Sequence, residues 1–404
     1  MQIWRRHHFK VITKLGIFYL FLSIGISLAA TIWSLYLNSF LNSSALVGFL
    51  TSFFMVAEIL AYILLIPLIE KGNKAKMLIA SLVFFAISYL LFSVYSSIYL
   101  VIFLGTLISI ITSLRITVFG LILRDKTKDD SVSKNEGLMY ALLNSAWLIG
   151  PLVAGYFAKN YGFGSVFFLS SVFIFISLFF FKTFRIKDGR RTREIDHHRL
   201  RIVTDFFRHK GRVFTYLLNT AVNFWWAFIY IYMPIYIVDN GHSEVVVGIF
   251  LAAVTLPLVF LDYLFGRVAG KSGFKKLFFI GFISLGVLAV ICFFISDLYV
   301  ILGLLVLASF SLSMIEPTAD AYFFDIVEKE ERDKYYGIYT TSINTGNLLG
   351  SLPAAALLLF LPFNSLFIFY GLPMIVLAFL ALGIEDSYEF TKAKEYKKDP
   401  EIKK

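Results

Sequence analysis

The chain is dominated by one repeated feature, a succession of mostly apolar stretches of about 20 residues each. A helix of this length crosses the roughly 30 Å hydrocarbon core of a bilayer. The chain is 58% hydrophobic and only 16% charged, whereas soluble domains carry about 25% charged residues. Because a backbone in lipid must satisfy its own hydrogen bonds, uninterrupted apolar stretches of this length fold as helices. We therefore expect an all-α protein with many membrane spans.

The basic residues around these stretches indicate an orientation. All but two of the 37 lysines and arginines lie at the termini or in every second connection; the exceptions are Lys159 and Arg115. Cytoplasmic loops carry the excess of Lys and Arg, so we expect a cell-membrane protein with both termini in the cytoplasm. The basic charge follows the topology, and no nucleic-acid partner is expected. The twelve expected spans are about 15–38, 45–69, 76–96, 98–122, 137–158, 164–183, 213–238, 244–265, 275–296, 298–323, 337–360 and 364–383.

An internal repeat relates the two halves. A shift of 200 residues places glycines, an asparagine and a cytoplasmic lysine of one half on identical residues of the other. A shared offset predicts two bundles of six helices, at 1–183 and at 213–404 with its charged tail, joined by a basic linker at 184–212. Transporters built from such repeats bind their cargo between the halves near the middle of the membrane. The matched pairs are Gly48 and Gly248, Lys71 and Lys271, Gly137 and Gly337, Asn144 and Asn344, and Gly150 and Gly350.

Enzyme chemistry has little support in the sequence. "GRVAGKS" at 266–272 is one residue too short between its first glycine and its Gly-Lys pair to be a phosphate-binding loop, which argues against ATP binding. The single cysteine, Cys292, offers no disulfide and no metal-ligand spacing. No histidine lies inside a span. We expect no enzyme, no cofactor and no metal, so transport would draw on an ion or solute gradient.

Two loops carry a resemblance to a known family. "GRVAGKSGFKK" (266–276) has Gly266, Lys271 and Gly273, and "IPLIEKGNKAK" (66–76) has the acidic-basic pair Glu70 and Lys71. They resemble the signature loop of the major facilitator superfamily, each copy in a degenerate form. The resemblance implies twelve helices in two six-helix bundles and assigns these residues to gating.

A further motif lies in the fifth span, "GLMYALLNSAWLIGPLVAG" (137–155). Gly137, Gly150, Pro151 and Gly155 resemble the fifth-helix motif of the family's proton-coupled multidrug efflux antiporters, which implies a gating role. Small residues four apart also let helices approach closely in lipid, so a packing face is the alternative.

Five ionisable residues fall within spans: Glu58, Arg115, Asp262, Glu316 and Asp320. Such residues usually face a cavity or a partner and are functional candidates. A buried carboxyl group poised between its two protonation states can take a proton from one side and release it to the other. Glu316 is the main candidate for this role, with Glu58 and Asp320 behind it; Asp262 and Asp320 lie closer to cytoplasmic span ends. The alternative is a Glu316 that stays protonated and bonds a neighbour.

Arg115 has two interpretations. It pairs with Glu58 inside the first half as a structural group, or it faces the same cavity as Glu316 and binds cargo or a proton. Polar faces at helical spacing add cavity candidates, although helix packing explains the face on span 1 equally well. These candidates are Ser27 and Thr31 on span 1, and Asn219, Asn223, Trp226 and Tyr230 on span 7.

The sequence therefore predicts a secondary transporter that works by alternating access. Its partners would be a small-molecule cargo, protons and membrane lipids, and we expect a monomer. Export of small amphipathic organic compounds in exchange for protons is the first expectation. The alternatives are a proton-coupled symporter for a small, anionic nutrient held by Arg115, and a non-transporting sensor with a transporter fold.

Overall fold

A computed structural model describes residues 2–126, 132–184, 199–328 and 331–384. This part of the chain is helical almost throughout and contains no strand. The helices of the first half are α1 Gln2–Leu41, α2 Ser44–Leu64, α3 Ile66–Lys71, α4 Lys74–Val94, α5 Ile98–Lys126, α6 Val132–Tyr161 and α7 Phe163–Thr183. Those that follow are α8 Arg199–Arg208, α9 Lys210–Ala227, α10 Met233–Asp239, α11 Glu244–Ser272, α12 Phe274–Phe293, α13 Leu298–Ile326, α14 Arg332–Leu357 and α15 Ser365–Ala381.

The helices confirm the expected all-α membrane fold. Within the described residues, nine helical segments are long and apolar enough to cross a membrane. The other three expected spans coincide with α6, α14 and α15. Helix α15 is apolar but has only 17 residues, and α14 begins with the polar sequence "RDKYYGIYTTSINTGN". Polar residues are tolerated in a span that packs against other helices, because protein groups can then bond them.

The chain divides into two compact units. Unit 1 comprises Met1–Ile195 and Tyr230–Thr255, and unit 2 comprises Asp196–Ile229 and Leu256–Lys404. The chain passes between the units inside a π-helical turn at Phe228–Tyr232 and again beside Pro257, which lies within α11. The expected boundary at 184–212 remains a sequence prediction, since residues 185–198 of that linker lie outside the described part of the chain.

The two units repeat the same helix contacts. In unit 1, α1 packs against α6 and α7, and α4 packs against α5 and α7. In unit 2, α9 packs against α14 and α15, and α12 packs against α13 and α15. In each unit a glycine allows two helices to approach closely, α6 with α1 in unit 1 and α14 with α9 in unit 2. A Cβ on Gly150 would overlap Ser27 Oγ, and a Cβ on its repeat partner Gly350 would lie 2.7 Å from Ala227 Cβ.

A second close contact lies within unit 1, between α6 and the first part of α11. A Cβ on Gly155 would lie 2.5 Å from the carbonyl oxygen of Glu244, and one on Gly248 would overlap the carbonyl oxygen of Pro151. The two backbones touch here because neither glycine has a side chain. The fifth-span motif is therefore a packing face toward both α1 and α11.

The amphipathic helix α8 packs on unit 2. Phe206 is completely buried in an aromatic cluster with Phe323, Val327, Tyr335 and Tyr339. Helix α8 contacts α9 and α14, so the last part of the linker is attached to the ends of these helices. Aromatic residues of this size contribute strongly to packing because each buries a large apolar area.

Candidate functional site

Glu316 lies within the continuous helix α13, one residue before Pro317. The indole Nε1 of Trp226 on α9 donates a hydrogen bond of 3.2 Å to Glu316 Oε2. Helices α9 and α13 pack together in unit 2, which brings the two side chains into contact. The sequence identified each residue separately, and the structure joins them.

Two further carboxyl groups surround Glu316. Asp262 on α11 interacts electrostatically with Glu316, and its Oδ1 is buried without a hydrogen-bond partner. Asp320 lies one helical turn after Glu316 and also interacts with it electrostatically. Its Oδ1 accepts a hydrogen bond of 2.6 Å from the hydroxyl of Tyr339 on α14. Unit 2 therefore gathers three carboxyl groups from two membrane-spanning helices.

Sequence reasoning gave Asp262 little weight and missed Tyr339. The position of Asp262 near a span end hid its proximity to Glu316, and no spacing along the sequence relates these two residues of different helices. Tyr339 is one of three tyrosines in "YYGIY". No spacing rule distinguishes it from the other two, because its role depends on contact with α13.

The polar face of span 7 is bonded within unit 2. Asn219 Nδ2 donates to Ser342 Oγ on α14 at 2.8 Å, and Asn223 Nδ2 donates to the Asn219 carbonyl oxygen at 2.8 Å. Trp226 continues this face to Glu316. Tyr230 belongs to unit 1, where its ring meets Trp147 edge to face at 5.1 Å between centroids. Asn219, Asn223 and Trp226 thus lead along one helix toward the carboxyl cluster.

Arg115 is the buried cation of unit 1, with 9% of its surface exposed. Its guanidinium lies over the ring of Phe85, 5.6 Å from the centroid, and its Nε is buried without a hydrogen-bond partner. It interacts electrostatically with Glu58 on α2, although no ion-pair contact joins these two described residues. Its other electrostatic neighbours are Tyr19, Tyr62 and Tyr89. Arg115 and Glu58 thus lie in the same unit, and both the structural pairing and a cavity shared with Glu316 stay predictions.

The polar face of span 1 is used within unit 1. Ser27 Oγ donates to the Ala146 carbonyl oxygen at 2.9 Å, and Thr31 Oγ1 donates to the Ser27 carbonyl oxygen at 2.7 Å. Both side chains are buried. The first bond joins α1 to α6, so Ser27 takes part in helix packing, and a contact of either residue with cargo remains a prediction.

The signature loops are described in part. Lys71 is exposed at the end of α3, and Gly273 precedes α12 with a φ of 83°, a conformation that glycine adopts without strain. The side chains of Glu70 and Lys271 and the surroundings of Gly137 and Gly266 lie outside what the structure describes. Among the described residues, no group of three or more His, Cys, Asp or Glu side chains could hold a metal ion.

Comparison with known proteins places the fold. Three solved structures of transporters share 11–13% sequence identity with this chain, and the likeness is therefore one of fold. One is a POT family transporter in complex with a thioalcohol-conjugated peptide, with a TM-score of 0.75 and 12% identity over 92% of this chain and 95% of that one. A second is a POT family transporter in complex with 5-aminolevulinic acid, with a TM-score of 0.76 and 11% identity over 92% and 95%. A third, peptide transporter POT in complex with sulfate, has a TM-score of 0.72 and 13% identity over 92% and 94%.

Sequence comparison gives the family. No curated protein matches the chain. The family model described as Major Facilitator Superfamily matches residues 15–261 and 215–401, which together span nearly the whole sequence. With its repeated helical units and the buried ionisable groups in its spans, this chain belongs to the major facilitator superfamily of membrane transporters.

Proposed function

We propose that this protein is a proton-coupled symporter for a small organic solute that carries an anionic group. The proposal rests on one observation: the Glu316 carboxyl group lies on a membrane-spanning helix and accepts a hydrogen bond from Trp226 on another such helix of unit 2. A carboxyl group removed from water is costly to ionise, so it changes charge readily when a partner or the local water changes. Glu316 would bind the proton, and the Trp226 indole would stabilise the carboxylate after the proton leaves.

The anionic character of the solute is suggested by Arg115. Its guanidinium is buried, carries an unpartnered Nε and has only electrostatic contact with Glu58. Arginine suits carboxylate recognition because its planar fork offers paired donors. The neighbouring structures contain a peptide conjugate, 5-aminolevulinic acid and sulfate. The last two are an organic acid and an inorganic anion, which is in keeping with an anionic solute.

Proton-coupled efflux is the second candidate. It rests on the fifth-span motif, in which Gly150, Pro151 and Gly155 resemble the exporter pattern. The motif glycines serve helix packing in unit 1, and the structural neighbours described above are POT transporters. Both observations favour the symporter.

The test is transport in proteoliposomes that contain a pH-sensitive dye. An inward pH gradient is imposed, and organic acids, neutral compounds and organic cations are added in turn. The symporter predicts that protons and an anionic solute enter together. Protons moving against the solute would establish antiport instead, and the absence of any flux across the panel would favour a sensor.

The proton site is tested separately with Glu316→Gln, which keeps the shape of the side chain and removes its ionisation. Coupled uptake should be lost while exchange of solute across the membrane continues. The matched control is Asp325→Asn, because Asp325 lies on the same helix but is exposed. Concentrative uptake by the Glu316→Gln protein would eliminate Glu316 as the proton carrier.

A further inference from the structure

A second carboxyl group follows Glu316 on α13, in the direction of the helix's C-terminal end. Asp320 follows Glu316 by four residues, and side chains four apart lie on the same face of a helix. The two carboxyl groups interact electrostatically. Asp320 is therefore the next proton-accepting group toward the end of α13 that the Lys and Arg pattern places at the cytoplasm.

Tyr339 fixes the orientation of Asp320. Its hydroxyl donates to Asp320 Oδ1 at 2.6 Å, and only 2% of its surface is exposed. Its ring stacks on Phe323 with 4.2 Å between centroids and 19° between planes. Because stacking holds the ring, the hydroxyl has little freedom to leave the Asp320 carboxyl group.

The charged end of unit 2 begins just beyond Tyr339. Tyr335, one turn earlier on α14, belongs to the same aromatic cluster. Arg212 lies over its ring at 4.2 Å and pairs with Glu331 at 3.7 Å. The direction from Glu316 to this end of the unit therefore passes Asp320, which Tyr339 holds, and then reaches partly exposed ionic groups.

Among the described side chains, the other helices packed against Glu316 bring one titratable group close to it. Helix α11 contributes Asp262, which interacts with Glu316. Helix α9 has its charged residues, Lys210 and Arg212, in its first turn and contributes Trp226 near Glu316. Helix α12 has its only charged residues, Lys275 and Lys276, in its first turn. Asp320 therefore lies between Glu316 and the charged end of unit 2 along α13. Asp262 contacts Glu316 electrostatically from a different helix, α11.

We infer that Asp320 relays the proton between Glu316 and the cytoplasmic side, and that Tyr339 is its positioning residue. In the release step the O–H bond of the Glu316 carboxyl group breaks and an O–H bond forms on the Asp320 carboxylate. Glu316 is left ionised and bonded to Trp226. Asp320 then gives the proton to water at the charged end and accepts again from Tyr339. This inference rests on the proposed function, because it requires Glu316 to carry the proton.

The test compares two transport modes in the full-length protein reconstituted in liposomes. Proton-driven net uptake requires proton release on every cycle, whereas counterflow exchange with solute on both sides does not. Tyr339→Phe removes only the hydroxyl. It should lower net uptake by about tenfold, the upper range for one lost hydrogen bond, and shift its pH profile while counterflow is unchanged. Asp320→Asn should lower net uptake further with counterflow preserved.

The matched control is Tyr370→Phe, also in unit 2. Tyr370 is completely buried, and its hydroxyl donates to the Gly350 carbonyl oxygen at 2.8 Å, away from the carboxyl cluster. Its variant should retain both transport modes. Equal losses of net uptake and counterflow in Tyr339→Phe would overturn the relay, because they indicate a structural role. Wild-type net uptake in that variant would overturn it as well.

The two proposals fail in different ways. If the wild-type protein moves no protons with solute, or if Glu316→Gln keeps coupled uptake, the proposed function is wrong and the relay falls with it. If Glu316→Gln loses coupling but Tyr339→Phe behaves like the wild type, only the relay is wrong. Should Asp320→Asn fail to fold, Asp320→Glu replaces it, with slowed net uptake and normal counterflow as the expected result and unaltered net uptake as the contrary one.

Discussion

The indole Nε1 of Trp226 donates a hydrogen bond of 3.2 Å to Oε2 of Glu316, a residue 90 positions further along the chain. This bond connects the polar face of span 7 to the carboxyl cluster of span 10 inside one unit. A hydrogen bond to a charged acceptor stabilises it by about 1.5–3 kcal/mol. The indole therefore favours the ionised form of Glu316, which is the form that follows proton release.

Trp226→Phe should impair coupling without unfolding the protein. The ring is retained, but Glu316 loses its donor, so the ionised state becomes less favourable. We expect proton-driven net uptake in a liposome assay to fall by at least about tenfold, since each 1.4 kcal/mol corresponds to a factor of about ten. Trp33→Phe is the control for loss of an indole, because Trp33 packs among aromatic rings in unit 1. Unimpaired coupling in Trp226→Phe would show that the bond has no part in transport.

Arg115 and Glu58 should be energetically coupled. Arg115→Gln leaves the partly buried Glu58 without its neighbouring cation. We expect the free energy of unfolding to fall by about 0.5–3 kcal/mol, the range for interacting neighbours. Adding Glu58→Gln should restore about 1 kcal/mol of that loss. Thermal unfolding in detergent of both single variants and the double variant completes the cycle. Strictly additive effects would mean that the two residues act independently.

Gly248→Ala should loosen the contact between α11 and α6. The new Cβ would overlap the carbonyl oxygen of Pro151, and forcing a methyl group into a packed contact costs about 1–3 kcal/mol. Gly303→Ala is the matched control, since nothing lies within 4 Å of a Cβ at that position. We expect a lower unfolding temperature for the first variant alone. Equal unfolding temperatures for the two variants would contradict the contact.

Phe206→Ala should detach helix α8 from unit 2. Phe206 is fully buried among Phe323, Tyr335 and Tyr339, and truncation of a buried phenylalanine costs about 3–5 kcal/mol. Tryptic cleavage at the arginines of α8 should then become faster. Phe207→Ala is the control because Phe207 is 45% exposed. The tryptic cleavage rate of this variant should change much less. Similar rates for both variants would indicate that the aromatic cluster does not hold the helix.

Composition and periodicity predicted the helices, and the internal repeat predicted that the two halves resemble each other. Apolar stretches of span length can satisfy their backbone only as helices, and the 200-residue offset carries the contact pattern from one unit to the other. The close contact at Gly150 recurs at Gly350 for this reason. These features are local or repeated, so they can be read along the chain.

The partners of the buried charges could not be read in this way. Glu316 was identified as a candidate because a carboxyl group is rare in a span, but its neighbours Trp226 and Asp262 lie on two other helices, α9 and α11. Asp262 was given little weight from its depth, and Tyr339 was missed among its neighbouring tyrosines. Each depends on the rotation of one helix against another.

The sequence by itself determined that the chain crosses the membrane repeatedly, that its halves repeat, and that a few ionisable groups lie within the spans. Hydrophobic length and charge counts are properties of the chain, and the bilayer acts on them directly. Only the tertiary structure decided that Trp226 bonds Glu316, that Tyr339 bonds Asp320, and that Arg115 lies among the tyrosines of unit 1. Those pairings depend on side-chain packing between helices, which sets distances that no spacing within a single helix specifies.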